Sequence, residues 1–243
     1  YRFNKQIARF AEAVKTGDSD NAWVLGSGSG DSEVSIAPAD WLDRCIEGYR
    51  SYVALAAKIK DPARYNTVFR EFNRFRVMCA VRKGSSGVEE INRRIERALS
   101  IDSPPVGSEQ FYSGGPVIVT RNDYNLGLYN GDIGICLPDP DAGGALRLWF
   151  EGADGSLKKF LPGEIPLHDP AWALTIHKSQ GSEFEEVVIV LPDMDSQILC
   201  RELLYTAVTR AREKIVLVVS EHILKLTGER KTIRYSGLAD RLS

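Results

Sequence analysis

Val77-Met78-Cys79-Ala80-Val81-Arg82-Lys83-Gly84-Ser85-Ser86-Gly87-Val88-Glu89-Glu90-Ile91-Asn92 is the stretch on which the fold turns. Val77–Val81 is a short apolar run bounded by charge and reads as a buried strand. The glycine loop Lys83–Gly87 follows. Val88, Ile91, Ile95 and Leu99 then recur at spacings of three and four, which predicts a helix over 88–99. Strand, glycine loop and helix in that order form the building block of a parallel sheet, so the chain reads as α/β.

Upstream, Ile7, Phe10, Ala11 and Val14 put an apolar face on a helix over 4–15, ended by Thr16-Gly17-Asp18. Ala22–Leu25 and Glu33–Ile36 read as strands around the loop Gly26–Asp31. A helix is expected from about Pro38, with Trp41, Leu42, Cys45, Ile46, Tyr49 and Val53 on its apolar face. Pro62 begins a further helical run to about Arg74. Downstream, Pro104-Pro105 marks a boundary. Short strands then follow at Pro116–Thr120, Gly131–Leu137, Leu146–Phe150 and Ser156–Leu161, with turns at Asn130-Gly131, Asp139–Gly144 and Asp154-Gly155. That pattern is an all-β module, read as a small SH3-like barrel inserted into the α/β domain. The α/β texture returns with strands at Ala171–Thr175 and Val187–Leu191, a helix over Arg201–Arg212 and a strand at Lys214–Val219. The remaining tail is basic and reads as peripheral. The organisation expected is thus 1–103 and 169–243 for the parallel-sheet domain, and 104–168 for the insertion.

Of the 243 residues, 43% are hydrophobic and 26% charged, which excludes a disordered chain, a collagen and a small disulfide scaffold. Basic residues number 31 against 33 acidic ones, so bulk charge does not coat nucleic acid. The distribution is uneven. Residues 18–47 hold seven acids and one base, and residues 64–97 hold nine bases and four acids, the natural place for a DNA track. No apolar run approaches the ~20 residues of a membrane span. No secretory signal opens the chain, and it starts on Tyr1 without Met, as a piece of a longer protein would. Cys45, Cys79, Cys136 and Cys200 form no C-x-x-C pair and read as reduced thiols of a cytoplasmic protein. With His168, His177 and His222 they offer no metal-ligand spacing.

Chemistry concentrates in two segments. Leu174-Thr175-Ile176-His177-Lys178-Ser179-Gln180-Gly181-Ser182-Glu183-Phe184 ends a strand in a polar turn, the position at which open α/β sheets bind ligands. Gly181 permits positive φ there. Glu202-Leu203-Leu204-Tyr205-Thr206-Ala207-Val208-Thr209-Arg210-Ala211-Arg212 has its apolar residues on one helical face, with Thr206, Thr209 and Arg210 on another. A lone helical arginine is ordinarily a surface charge, but its planar, permanently charged fork also suits a phosphate.

Together these segments resemble motifs V (T-x-H-K-x-Q-G-x-E-F) and VI (L-Y-T-A-x-T-R-A) of superfamily 1 helicases. Tyr1-Arg2-Phe3 resembles the end of the S-Y-R-F form of motif IV. Phe72–Leu99, with Cys79–Gly84 and Gly87-Val88 before Ile91-Asn92, is similar to RecD-type helicases. So are Pro116–Tyr124 and Leu126–Asp132.

The resemblance implies two RecA-like domains with ATP in the cleft between them and single-stranded DNA across the top. Walker A and B belong to the first domain. No G-x-x-x-x-G-K-[ST] occurs here, and Gly26-Ser27-Gly28-Ser29-Gly30 lacks the lysine. The chain would then be the second RecA-like domain (2A) with its SH3-like insertion (2B). By the same resemblance Arg210 and Arg2 reach the γ-phosphate, Gln180, Gly181 and Glu183 contribute to the nucleotide site, and Tyr1 stacks on the adenine. Thr175, His177 and Ser179 face DNA phosphates, as do Ser85 and Ser86 in the glycine loop. Arg121, Asn122, Tyr124 and Asn125 are the insertion's candidates for strand contact. ATP and Mg²⁺ are the cofactors implied for the full-length protein, with none bound by this chain alone. The implied partners are single-stranded DNA and the RecB and RecC subunits of exonuclease V, with no membrane. A stand-alone RecD-like helicase, a relaxase–helicase, and a non-enzymatic DNA- or protein-binding module are the alternatives.

Overall fold

A computed structural model describes residues 5–28, 32–36, 41–99, 111–165 and 167–231. Its first section holds α1 (Lys5–Thr16), α2 (Ser19–Gly26), β1 (Val34–Ile36), α3 (Trp41–Lys58), α4 (Tyr65–Phe72), β2 (Phe75–Cys79) and α5 (Val88–Leu99). The next holds β3 (Pro116–Val119), β4 (Ile133–Asp139), β5 (Ala145–Glu151), β6 (Leu157–Phe160) and β7 (His168–Pro170). The last holds β8 (Ala173–Thr175), β9 (Phe184–Val190), α6 (Arg201–Val208), β10 (Ala211–Val218) and α7 (Glu221–Glu229).

Five strands pair in the order β1-β10-β9-β2-β8, all parallel. Successive side chains of a strand point to opposite faces, and β9 shows what that produces. Val187, Ile189 and Leu191 enter one core with α1, α2, α6 and α7. Val188 and Val190 enter another with α3, α4 and α5. A parallel sheet covered by helices on both faces needs such continuous apolar strands. β8 lies at one edge, where Asn92 of α5 completes its backbone bonding. Ala173 N donates to Asn92 Oδ1 at 2.8 Å, and Asn92 Nδ2 donates to Ala173 O at 3.0 Å. A buried amide here does what a sixth strand would do.

The section between α5 and β8 forms an antiparallel sheet in the order β6-β5-β4-β3-β7. Among the described residues no pairing of β6 with β7 closes it into a barrel. The sheet is anchored to the parallel-sheet domain. Ile135, Leu137 and Trp149 face the core of α3 and α4, whereas Cys136, Leu148 and Phe150 face the module's own interior. Tyr65 of α4 stands edge-on to Trp149, its ring centroid 5.1 Å away, and donates its hydroxyl to Pro138 O.

Four departures from the sequence reading have local causes. Ala22–Leu25 is inside α2 rather than a strand, because Asp18 caps the helix by accepting from Asn21 N at 3.2 Å. The expected helix over 201–212 stops at Val208, since Arg210 O accepts from Phe184 N at 2.8 Å and draws Ala211 into the sheet. The tail is not peripheral over 221–229: Ser220 caps α7 and buries Ile223 and Leu224. Arg76, counted among the track's charges, is fully buried. Its guanidinium lies 4.0 Å over the Phe72 ring and donates to Ala171 O and Asn73 Oδ1. Pro104-Pro105 and the end of the tail lie outside the described residues. No described helix is long and apolar enough to cross a membrane.

Candidate functional site

After β8 the chain enters a short 3-10 turn, Ile176–Ser179, capped by Thr175, whose Oγ1 accepts from Lys178 N at 3.3 Å. Ser179 is 1% exposed and donates its hydroxyl to Ile176 O at 2.7 Å. That corrects the expectation for Ser179, which shapes the turn from inside rather than facing a strand. His177 and Gln180 are exposed on the turn's outer side. Gly181, at φ +87° with open space around it, reverses the chain toward β9.

Arg210 is joined to this turn. Its guanidinium donates to Ser182 O at 3.1 Å, to Thr206 O at 3.1 Å and to Thr209 Oγ1 at 3.3 Å. All three acceptors are neutral oxygens, and among the described residues no carboxylate pairs with it. Two other arginines differ. Arg212 donates twice to Glu183, and Arg230 grips Asp195 with two nitrogens. A guanidinium fixed by carbonyls keeps its full charge for an outside anion, whereas one fixed by a carboxylate is already neutralised. Arg210, expected at the γ-phosphate, is thus bonded to Ser182, which lies between Gly181 and Glu183 of the expected nucleotide residues. Ser182 was missed, because a backbone carbonyl carries no residue signature. Tyr1 and Arg2 lie outside the described residues.

A cleft of about 680 Å³ runs between the 3-10 turn and the start of α6, lined by His177, Gln180, Glu202, Leu203 and Thr206 with Cys200 among its walls. Burial pushes the thiols of Cys45 and Cys136 up to about 12 and raises that of Cys79 as well. Since the thiolate is the reactive form, a maleimide at pH 8 is expected to label Cys200 alone in the folded chain and all four cysteines after denaturation. Mass spectrometry of the labelled peptides checks this.

The other predicted contacts are placed as follows. Ser85 is exposed and Ser86 half-buried at the tip of the glycine loop. The helix entrance behind them is closed to a phosphate, because Val88 N donates to Val81 O and Glu89 N to Arg82 O, both at 3.1 Å. Gly87 is required by space: a Cβ there would stand 2.5 Å from the Lys83 carbonyl. Of the bases in 64–97, Arg74 and Arg93 are held by glutamates and Arg94 covers Trp41. Arg64, Arg70, Lys83 and Arg97 are exposed, and so is Arg82, which pairs with Asp169 at 3.2 Å. Lys178, not singled out from sequence, sits half-buried between Arg82 and Asp169. Burial lowers its pKa from the ordinary lysine value, the Asp169 carboxylate opposes that shift, and Arg82 adds to it.

In the antiparallel module Arg121 is exposed. Asn122 is committed to loop shape, accepting from Asn130 N at 2.8 Å and donating to Tyr124 OH at 3.3 Å. Tyr124 is 77% exposed and Tyr129 50%, their rings meeting edge to face.

Comparison with known proteins bears on the whole chain. Residues 170–218 match the UvrD-like helicase C-terminal domain. The RecBCD enzyme subunit RecD of Mycolicibacterium smegmatis is 36% identical over 244 residues, covering 100% of this chain and 42% of that protein. The same subunit of Haemophilus influenzae is 36% identical over 272 residues, covering 99% and 40%. The ATP-dependent RecD2 DNA helicase of Deinococcus radiodurans is 30% identical over 169 residues, covering 68% and 23%. The chain therefore spans about two fifths of the length of the RecD subunits it matches over its whole length. Among solved structures, the Bacteroides Pif1 helicase with ADP-AlF3 and single-stranded DNA covers 100% of this chain and 54% of its own, at 20% identity and a TM-score of 0.47.

Proposed function

The chain belongs to the RecD helicase family and corresponds to its C-terminal region; from that premise we propose that it is the second half of an ATP-dependent motor that moves 5′ to 3′ along single-stranded DNA. The observation that carries this reading is Arg210, a charged fork tied to the motif V turn and left without a carboxylate among the described residues.

In phosphoryl transfer, charge spreads over the equatorial oxygens of the transferred group, and a guanidinium placed against them stabilises that charge. Arg210 is that group here, with Arg2 as a second finger. When bound, ATP with Mg²⁺ supplies the phosphoryl group, held by Walker elements that this sequence does not contain. Gln180 and Gly181 lie next to Ser182, the residue Arg210 grips, so the turn moves with the finger. Glu183, oriented by Arg212, is the acceptor for ribose hydroxyls, and Tyr1 stacks on the base. Because the fingers sit on the domain opposite the phosphate loop, hydrolysis depends on closure of the cleft between the two halves.

At the other edge of the sheet, His177 and Thr175 adjoin Arg82 and Lys83. This edge carries the DNA strand, continued by Arg121 on the antiparallel module, which we read as the SH3-like insertion. The motor acts in the cytoplasm with RecB and RecC as partners, the assembly named for the relatives that cover the chain fully. The match to a RecD2 helicase supports a stand-alone helicase as the second reading.

The test uses the full-length protein. Single-stranded DNA is expected to stimulate ATP hydrolysis, and a duplex with a 5′ tail is expected to unwind where one with a 3′ tail does not. Absence of stimulation, or unwinding from the 3′ tail, overturns the reading. Co-purification with RecB and RecC separates the subunit from the stand-alone helicase.

A further inference from the structure

Two cations from different motifs share one carboxylate at the carboxyl edge of the parallel sheet. β2 and β8 pair with Cys79 opposite Thr175. Arg82 lies three residues past Cys79, and Lys178 three residues past Thr175. Both reach the same oxygen: Arg82 Nη2 is 3.2 Å and Lys178 Nζ 4.0 Å from Asp169 Oδ2. Asp169 comes from β7, the module's return strand. It is open to solvent, its side chain 37% exposed against 59% for Arg82 and 25% for Lys178. One negative charge thus holds two positive ones, with exposed Lys83 and His177 adding no counter-charge.

We propose that Arg82 and Lys178 form a binding site for a backbone phosphate of single-stranded DNA, and that Asp169 is the resident counter-ion the phosphate displaces. The inference rests on the DNA-motor reading above and adds a site and an exchange to it. A phosphodiester presents what Asp169 presents, a single negative charge on two oxygens within reach of both cations. The position is the one where open α/β sheets bind ligands. A strand leaving it has a surface to follow: Thr120 N donates to Leu167 O at 2.8 Å, two residues from Asp169, and begins the loop that carries Arg121 and the exposed Tyr124 and Tyr129. The exchange also has a mechanical side. Asp169 ties the module to the sheet only while no phosphate is present, so strand entry loosens that tie.

Fluorescence anisotropy with labelled oligothymidine tests this on the chain itself. Asp169→Asn is expected to tighten binding about fivefold. It should also steepen the plot of log affinity against log salt by about 0.7, since no carboxylate then needs a new counter-ion. Asp169→Ser should behave alike. In an Arg82→Ala/Lys178→Ala background, Asp169→Asn should change nothing. Tightening that persists in that background reflects net charge alone and overturns the site. No tightening with the wild-type chain binding normally overturns the exchange while leaving the DNA-motor reading intact. A gain for inorganic phosphate but not for oligothymidine removes the strand as ligand. Failure of wild type and variants alike to bind the oligonucleotide overturns the inference and counts against the reading beneath it.

Discussion

Arg210→Ala in the full-length protein is expected to lower DNA-stimulated ATP hydrolysis by about 10³-fold or more, the contribution of an arginine finger. DNA affinity should stay within about twofold. The two effects separate because Arg210 and the residues proposed to face the strand occupy opposite edges of the sheet. Arg210 precedes β10 and meets the start of β9 through Phe184 N. Thr175 and His177 follow the end of β8. Arg210→Lys should recover little of the rate. A lysine carries the charge, but one ammonium cannot hold Ser182 O, Thr206 O and Thr209 Oγ1 while facing a phosphate. Steady-state ATPase at saturating DNA, with a parallel DNA titration, reads both quantities. A loss smaller than about tenfold would move the finger elsewhere and revive the reading of this chain as a binding module.

The second large effect is structural. Trp172→Ala is expected to destabilise the chain by about 3–5 kcal/mol, the usual cost of deleting a buried indole. Trp172 is 2% exposed and meets Tyr49, Tyr52 and Phe72 with centroids 5.0, 5.8 and 6.3 Å away. Its Nε1 donates to Tyr112 OH at 3.0 Å, and its carbonyl accepts from Tyr49 OH. Truncation empties the centre of this cluster and strips Tyr112 of a donor. At about 2–4 °C per kcal/mol for a chain of this size, the melting temperature should fall by about 10 °C. Trp172→Phe, which keeps an aromatic ring in the cluster, should lose less than half as much. Equal stability of Trp172→Ala and wild type by thermal melting would mean that the aromatic cluster is not what fixes the start of β8.

Much of this was legible in the residues. Val187–Leu191 alternates between two apolar faces, and only a strand buried on both sides tolerates that. Gly87 and Gly181 punctuate the turns where a Cβ clash and a positive φ require glycine. Arg210 meets the end of the motif V segment because Phe184 N donates to Arg210 O and Arg210 donates to Ser182 O. What stayed hidden depends on partners distant in sequence. Nothing in Ala22–Leu25 distinguishes four apolar residues of a short helix from a strand, since the deciding bond is a cap made four residues earlier. Arg76 reads as a surface charge until its guanidinium is seen over the rings of Phe72 and Phe184, 4.0 and 5.0 Å from their centroids. Ser179 reads as a polar loop residue, but its hydroxyl turns inward and donates to Ile176 O one 3-10 turn back. Asp169, in a strand of another sheet, offers no sequence hint that it reaches two cations of this one.

The link from β8 to β9 carries a consequence for stepping. Thr175 is level with Val190 across β2, so the chain must descend six strand positions to Phe184 while passing one intervening strand. The link is wound rather than stretched: Ile176–Ser179 is a 3-10 turn, Ser182 N donates to Ser179 O at 3.1 Å, and Gly181 reverses the chain. Two hydrogen-bonded turns in series leave little free chain between Thr175, which caps the first, and Ser182, where the guanidinium is held. In the proposed motor a shift of the turn along DNA therefore reaches Arg210 through these bonds rather than through slack backbone.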